Sequence, residues 1–557
     1  FAGAFTSLKK AVRIFEGTLN FSGSLNKKIT KILIGALNFS GGLNKKITKI
    51  LIGVLNFGAV LNRLYRMTIE GTLSFIGATN KKIPKLIQGV LSFIGNATSR
   101  FASRAGYKRA ITQPQREVYA KVVIYYGSDI IELYDEYTLE SMTLLEELFA
   151  EGKTPLGAVS SNELTISLYN KDRKFTPTNN NSPLYGKLVP NLKVEPYIGV
   201  ITDEGPVYYI SLGTFYTTDW SAPTDSVMAS VVCNDSLYNI GNKPMPQIPI
   251  QQNVNITTMF KVLFKAMGLT ENDYYIDDIP EALQIAAFED GEDIKVKDAW
   301  QKLAERGLCN IFGDRSGKIR VLRNNNVEKP SSSAWTDTSM IINSDIPQEY
   351  KNIYSQIDVQ ISTPQVAQSA TNILTLNNVE IPTNGLELNN LYFSSPVGVV
   401  ESVNLIGAVN SCIESMTIGA KSISLIINNS GSSETVSIEV KGRVINNVVS
   451  TYSATDSTAQ SLVGNIKLSI NNIYIQNKND AINYATKIMP FIVSPTAFVS
   501  VKSRGNPLLQ LTNSIRIDDW SNDINGIDVV PIRMFYTFDL GLECDMIGVR
   551  RELREVM

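Results

Sequence analysis

Apolar and polar residues alternate at period two through GTLNFSGSLNKKITKILI, from Gly17 to Ile34, and then the pattern starts again. The next stretch, GALNFSGGLNKKITKILI from Gly35 to Ile52, matches it at sixteen of eighteen positions. Gly17, Gly35, Gly53, Gly71 and Gly89 open five units at a strict spacing, each beginning G-x-L-x-F. Within a unit Gly17, Leu19, Phe21, Gly23, Leu25, Ile29 and Leu33 share one face. Thr18, Asn20, Ser22, Ser24, Asn26 and Thr30 share the other, which predicts β-strand. A rival reading is a short basic amphipathic helix on a membrane surface. Leu25, Ile29, Ile32 and Leu33 would form its apolar face, with Lys27, Lys28 and Lys31 opposite. Pro84 argues against a continuous helix through the fourth unit. A repeated strand unit cannot bury its apolar face alone. The array is therefore expected to be either a β-solenoid or a set of strands intertwined among several subunits. Leu8-Lys9-Lys10 and Arg13 to Glu16 keep the register of the later blocks, and Phe1 falls mid-unit. The array is thus expected to extend upstream, the chain being a processed product or a fragment.

From 101 to 119 small and polar residues and Pro114 break the pattern, which reads as a linker. Beyond it YAKVVIYY (119–126), NELTISLYN (162–170), LKVEPYIGV (192–200), VYYISLGTFYTTDW (207–220) and SVMASVVCND (226–235) alternate as strands, with turn signals at 202–206 and 221–226. They predict an antiparallel sheet, closed or nearly closed. A helical interlude follows. ITTMFKVLFKAMGL (256–269) places Met259, Phe260, Val262, Leu263 and Met267 inward and stops at Gly268. VKDAWQKLAERGL (296–308) places Ala299, Trp300, Leu303 and Ala304 inward, and NIFGDRSGKIRVL (310–322) is a strand pair. From about Tyr350 the chain is β again, with one helix at 479–492 and a closing set of strands that reads as a second barrel.

The length of 557 residues allows three or four domains, and 43% hydrophobic with 19% charged residues is the composition of a folded chain. The net charge of −1 conceals a division. Residues 1–106 hold sixteen Lys and Arg against Glu16 and Glu70, and the remainder carries the balancing acid. Such a basic segment suits an acidic protein or an anionic envelope polymer. Cys233, Cys309, Cys412 and Cys544 are too scattered for a CxxC site and read as free, mostly buried thiols. There is no histidine, which removes Ser-His-Asp and Cys-His catalysis and His-ligated metals.

Three stretches invite chemistry and are read as lacking it. GDRSGK (313–318) is one residue short of a phosphate loop, has Ile319 in place of Ser or Thr, and joins two strands, so it reads as a hairpin. DDWSNDING (518–526) has Ile524 and Val530 at the positions where a calcium loop starting at Asp519 needs Gly and Glu, so it reads as a solvated hairpin loop. Glu146 and Glu147 in TLLEELFAEG could be imagined as glycosidase acids, but adjacent side chains diverge, and a solvated helix or turn is the expectation. Lys27, Lys28 and Lys31 lack interleaved aromatics and read as solvated or protein-facing charge. No catalytic, cofactor-binding or metal-ligating residue is assigned.

One motif points further. LYNKDRKFTPTNNNSPLYGKLVPNLKVEPYIG resembles a motif of the hub and minor tail proteins of long-tailed bacteriophages. It is carried by Asn170, Asp172, Phe175, Thr176, Pro177, Ser182, Pro183, Tyr185, Gly186, Leu188, Pro190 and Val194. Gly213, Phe215, Tyr216 and Trp220, then Asp235, then GDRSGKIRV, IQNKNDAINYATKIM and SRGNPLLQLTNSIRI follow in the order of that family. Asn191 departs from it, standing where many relatives have Gly. The resemblance covers about residues 117–557. It implies a mainly β fold with a small α/β insert and two hub-type β-barrel domains, here preceded by the 18-residue-repeat β array. The expected division is 1–106 repeat array, 107–118 linker, 119–248 first barrel, 249–325 α/β domain, 326–465 β-rich domain and 466–557 closing part of the second barrel. The implied function is structural and not enzymatic. It is a homotrimeric hub at the distal tail tip of a virion, joining a sixfold tube to a threefold tip and lining the channel for DNA ejection. Implied partners are tail tube and distal tail proteins, the tape measure protein, and spike or receptor-binding proteins. DNA would transit without specific binding, and no cofactor is implied. The alternative is an adhesin of the tail tip that holds the host cell envelope through the basic array.

Overall fold

The computed structural model describes residues 14–21, 29–30, 32–39, 47–48, 51–57, 69–76, 87–88 and 91–94 of the array. Beyond it, residues 104–134, 138–149, 157–203, 205, 207–326, 334–336, 339–347, 353–495, 498–511 and 513–555 are described. The chain forms two units, residues 1–116 with 200–208, and residues 117–199 with 209–557.

In the first unit the repeat is strand. Ile14–Phe21, Ile32–Phe39, Leu51–Phe57 and Ile69–Ile76 lie side by side in parallel, with Gly17, Gly35, Gly53 and Gly71 as register partners. Leu91–Ile94 continues the ladder, Leu73 opposite Leu91. Ile29–Thr30 pairs in parallel with Ile47–Thr48 in a second, smaller sheet. Each unit thus pairs with the next one in the same chain, offset by one repeat. That is the register of a solenoid and not of strands borrowed from other subunits, because successive units supply each other's backbone partners. The segment read as a linker contains a helix, Arg104–Ile111, with Tyr107 and Ile111 buried. Ala and basic helix formers precede Pro114, which the helix never reaches.

The second unit is mainly β. One sheet of fourteen strands runs through it. Its order is Asp129–Tyr134, Val118–Tyr126, Lys193–Ile201, Phe215–Ser221, Met228–Asn234, Glu163–Tyr169, Leu139–Glu147, Ile524–Phe538, Leu542–Arg550, Phe498–Ser503 and Ile341–Asp345, with three further strands off this path. The strands of the two β regions are therefore continuous. They join where Leu139–Glu147 pairs antiparallel with Ile524–Phe538, Met142 opposite Phe538 and Glu147 opposite Arg533.

The α/β insert packs Ile256–Ala266 and Val296–Gly307 on a four-stranded sheet of Val159–Ser160, Cys309–Gly313, Ile319–Arg323 and Tyr274–Ile276. Phe264 and Trp300 meet edge to face at 5.3 Å in its core. Phe264 is buried where Val262 and Met267 were expected, because the helix turns its Ile256–Phe260–Phe264 side to the core and leaves those two half-buried. Ala299, Trp300, Leu303 and Ala304 are buried as expected. The helix Lys478–Ile492 is tied to the insert by Arg306–Asp480 at 2.8 Å and Lys487–Glu281 at 3.7 Å.

A β-sandwich follows from 371. The 22-residue strand Glu434–Thr455 runs between Thr371–Ile381 and Val397–Ile406, and faces the sheet of Leu386–Tyr392, Ser422–Asn429 and Ser411–Ile418. Ile373, Ile381, Phe393, Ile423, Leu425, Val436 and Ile438 fill the space between.

Candidate functional site

The motif segment 170–192 leaves the strand Glu163–Tyr169 and folds on itself. Asn170 is fully buried; its Oδ1 accepts the Phe175 N–H at 2.8 Å, and its Nδ2 donates to Thr176 Oγ1 at 3.0 Å. Successive turns donate Thr176 N to Arg173 O, Asn179 N to Thr176 O, Ser182 N to Asn179 O and Tyr185 N to Ser182 O. Ser182 Oγ closes the loop on Lys174 O at 2.6 Å. Phe175, Leu184, Leu188 and Leu192 point into the core. Gly186 and Asn191 both take positive φ, +73° and +65°. Asn191 is thus in the left-handed conformation for which Gly is the default and Asn the commonest substitute. The motif residues are the skeleton of a loop held by its own hydrogen bonds and, from outside, by Thr217 and by Pro223 and Thr224.

This loop sits at one end of the long sheet. Leu139 pairs with Leu168, Tyr169 with Met228, and Met142 with Phe538. The motif loop, the turn before Met228 and the turn after Phe538 therefore leave from the same end. Tyr169, Tyr185 and Val227 are exposed there, and Leu540 is 99% exposed with φ +54°. At the opposite end Asp519 pairs with Ile524, and the turn between them presents Trp520, 79% exposed. Large apolar side chains are thus exposed at both ends of one sheet.

The stretches that invited chemistry are internal fastenings. Asp314 Oδ1 accepts Ser316 N at 2.9 Å, Ser316 Oγ at 2.6 Å and Lys318 N at 3.0 Å, so the GDRSGK turn spends its donors on its own aspartate. Arg315 leaves that turn and reaches the long sheet. Its Nε donates to Glu146 Oε1 at 2.7 Å, its Nη2 pairs with Glu146 Oε2, and its Nη1 donates to Pro507 O. Both side chains are buried. Burial alone would lower the Arg315 pKa, but the adjacent Glu146 carboxylate more than offsets it and holds the group above its ordinary value. The expectation of a solvated helix or turn around Glu146 is overturned: Leu139–Glu147 is a strand, and Met142, Leu144, Glu146 and Leu148 share its buried face. The missed signal was period two, which places an acid in line with three apolar residues and calls for a cation inside.

A second fastening lies beside it. Asp235 caps the helix Ser236–Gly241 by accepting Leu237 N and Tyr238 N, and also takes Asn162 N at 2.9 Å. Asn162 Nδ2 donates to Gly313 O at 2.8 Å. A Cβ on Gly313 would lie 2.4 Å from Asp235 Oδ2, so the insert hairpin approaches this carboxylate as only glycine permits. Burial pushes the Asp235 carboxyl up to about 7, against the pull of its three backbone donors.

In 518–526, Asp519 accepts Ser521 N and Asn522 Nδ2, and Asp518 accepts Gly526 N; the aspartates serve the hairpin. Asp519 is buried, not solvated, because Ser344 and Asn522 satisfy it. Among the described residues no group of three or more His, Cys, Asp or Glu could hold a metal ion, and no helix is long and apolar enough to cross a membrane. Cys233, Cys309 and Cys544 are buried and Cys412 is exposed, all as free thiols. Lys27, Lys28 and Lys31 lie outside the described residues.

No protein-family model matches the chain, and no curated protein matches it. Solved structures do. The 43 kDa tail protein of prophage MuSo2 from Shewanella oneidensis is similar over 78% of this chain and 100% of its own, at 10% identity and a TM-score of 0.46. A tail protein from Neisseria meningitidis MC58 is similar over 78% and 98%, at 10% identity and a TM-score of 0.46. Prophage tail protein gp18 from Listeria monocytogenes EGD-e is similar over 77% and 94%, at 8% identity and a TM-score of 0.38.

Proposed function

We propose that the chain is a structural component of the tail of a phage or phage-derived particle, acting as a trimeric hub at the distal tip. Three copies would join a sixfold tube to a threefold tip, surround part of the path for DNA, and meet tube, tape-measure and spike proteins at their ends. No catalytic role is proposed; Glu146, the buried acid of the long sheet, is paired with Arg315. The observation that carries the reading is the join between Leu139–Glu147 and Ile524–Phe538. It makes one wall of sheet from both halves of the second unit. The motif loop and Leu540 stand at one end of that wall and Trp520 at the other. A wall with exposed apolar side chains at both ends is suited to stacking between other proteins.

Two measurements test this. Gold-labelled antibody to the chain should decorate the distal tip of purified particles in electron micrographs. Light scattering should give a multiple of three copies at micromolar concentration. Particles without label, or a monodisperse monomer, would sink the proposal.

A further inference from the structure

Every sheet in the second unit has edges, and nearly all are blunted. Asp129–Tyr134 carries Asp129 and Glu132, the latter paired with Lys121. Ile341–Asp345 and Lys467–Ile470 are short. Thr371–Ile381, Val397–Ile406, Leu386–Tyr392 and Ser411–Ile418 each pair with register shifts and each carry a glutamate. These are the ordinary protections against unwanted strand addition.

The second half of Glu434–Thr455 has none of them. On one side it pairs with Gln356–Val366 without a register shift, from Ile445 opposite Val366 to Thr455 opposite Gln356. On the other side Val397–Ile406 follows it only to Val444, and Ile445 N donates to Pro396 O. From Asn446 to Thr455 that side has no backbone partner among the described residues. The sequence there is NNVVSTYSAT, without charge, Pro or Gly. Residues 446–451, 453 and 455 are exposed, including Val448 and Val449. Ten residues at about 3.4 Å each make an open edge of about 34 Å.

We infer that this edge pairs with the same edge of a second copy of the chain, antiparallel about a two-fold axis through Ser450. A two-fold perpendicular to the sheet keeps each face of the strand on its own side. It sets Ser450 against Ser450, Val449 against Thr451, Val448 against Tyr452, Asn447 against Ser453 and Asn446 against Ala454. Val–Thr and Val–Tyr are favourable cross-strand pairs, and Ser–Ser can share a hydrogen bond. The matched register argues for a second copy as the occupant, and the absence of charge permits it: the strand meets its own copy with no like-charge penalty, whereas like charges facing across the charged edges named above would be unfavourable. The contact is independent of the ring proposed above and would join two rings, or two single chains, back to back.

The test uses the full chain with Cys412→Ser, which removes the exposed thiol. Residues facing each other across such a pair have Cα atoms about 4.5–5.5 Å apart, within disulfide reach. Ser450→Cys should therefore cross-link to a covalent dimer under mild oxidation, while Ser453→Cys, set against Asn447, should not. V449K/T451K places like charges opposite one another on side chains that are exposed in the single chain. It should halve the mass seen by light scattering, from six copies to three, or from two to one if the ring itself does not form. Absence of the Ser450→Cys cross-link together with an unchanged mass for V449K/T451K overturns the inference.

Discussion

At the scale of residues, the most informative pair is Glu146 and Arg315. Removing the acid leaves a buried guanidinium without its counter-charge, which costs about 3–5 kcal/mol. Glu146→Ala should therefore lower the urea midpoint strongly, whereas E146M/R315M should recover most of the loss. If the single and double variants melt alike, the pair is not the fastening described. Asp235 gives a pH signature. Its carboxyl titrates near 7 in the fold and near 3.9 when unfolded, so folding favours the protonated form. Its contribution is fully present below about pH 4 and is lost as pH rises through 7. Asp235→Asn keeps an acceptor for the helix cap and should flatten the decline of Tm between pH 4 and 8 relative to wild type. The same dependence of Tm on pH in both proteins would refute this assignment. Asp235 was legible in the sequence as the end of a strand, but its burial was not, because it depends on Gly313 arriving from the insert. Glu146 was misread as solvated: the alternation that turns it inward was there but missed, and its partner lies far along the chain in a turn that looked like a phosphate loop.

At the scale of elements, legibility followed locality. The repeat was readable because each unit pairs with a near copy of itself, so a single register satisfies all five. The helix Val296–Gly307 was readable because its inward face is small or apolar apart from Arg306. The helix Ile256–Ala266 is apolar around more of its circumference, and the pattern could not choose between Phe264 and Val262. The join of Leu139–Glu147 to Ile524–Phe538 was not readable, since period two specifies a face and not a neighbour. One strained element has a direct consequence. Leu540 holds φ +54° at the tip of the hairpin between Ile524–Phe538 and Leu542–Arg550, fully in solvent. Among the described residues no contact of Leu540 compensates its left-handed backbone, which costs about 1 kcal/mol relative to glycine. Leu540→Gly should raise the Tm of the isolated protein and weaken its incorporation into particles. An unchanged Tm, or normal incorporation, would mean that the tip is neither strained nor a contact.

At the scale of the whole molecule, the division of charge at residue 106 does not coincide with the division of structure. The helix Arg104–Ile111 belongs to the first unit together with residues 200–208, and its Tyr107 ring lies 5.9 Å from that of Tyr208. A cut chosen from composition alone, at 107, falls inside this helix. A chain of residues 104–557 keeps the helix, while 117–557 strips buried Tyr107 and Ile111 from their places. Each such side chain is worth about 1.5–3 kcal/mol of burial. Residues 104–557 should therefore melt with the midpoint of the full chain's body, and 117–557 several degrees lower, as followed by circular dichroism. Equal midpoints would show that the helix contributes nothing to the stability of the stretch 200–208 with which it forms a unit. The stable truncation then separates assembly from the array. If 104–557 keeps the oligomeric mass of the full chain, the long sheet and its ends drive association. If it falls to a single copy, the solenoid is the oligomerising device and the ends of the sheet wait for other proteins.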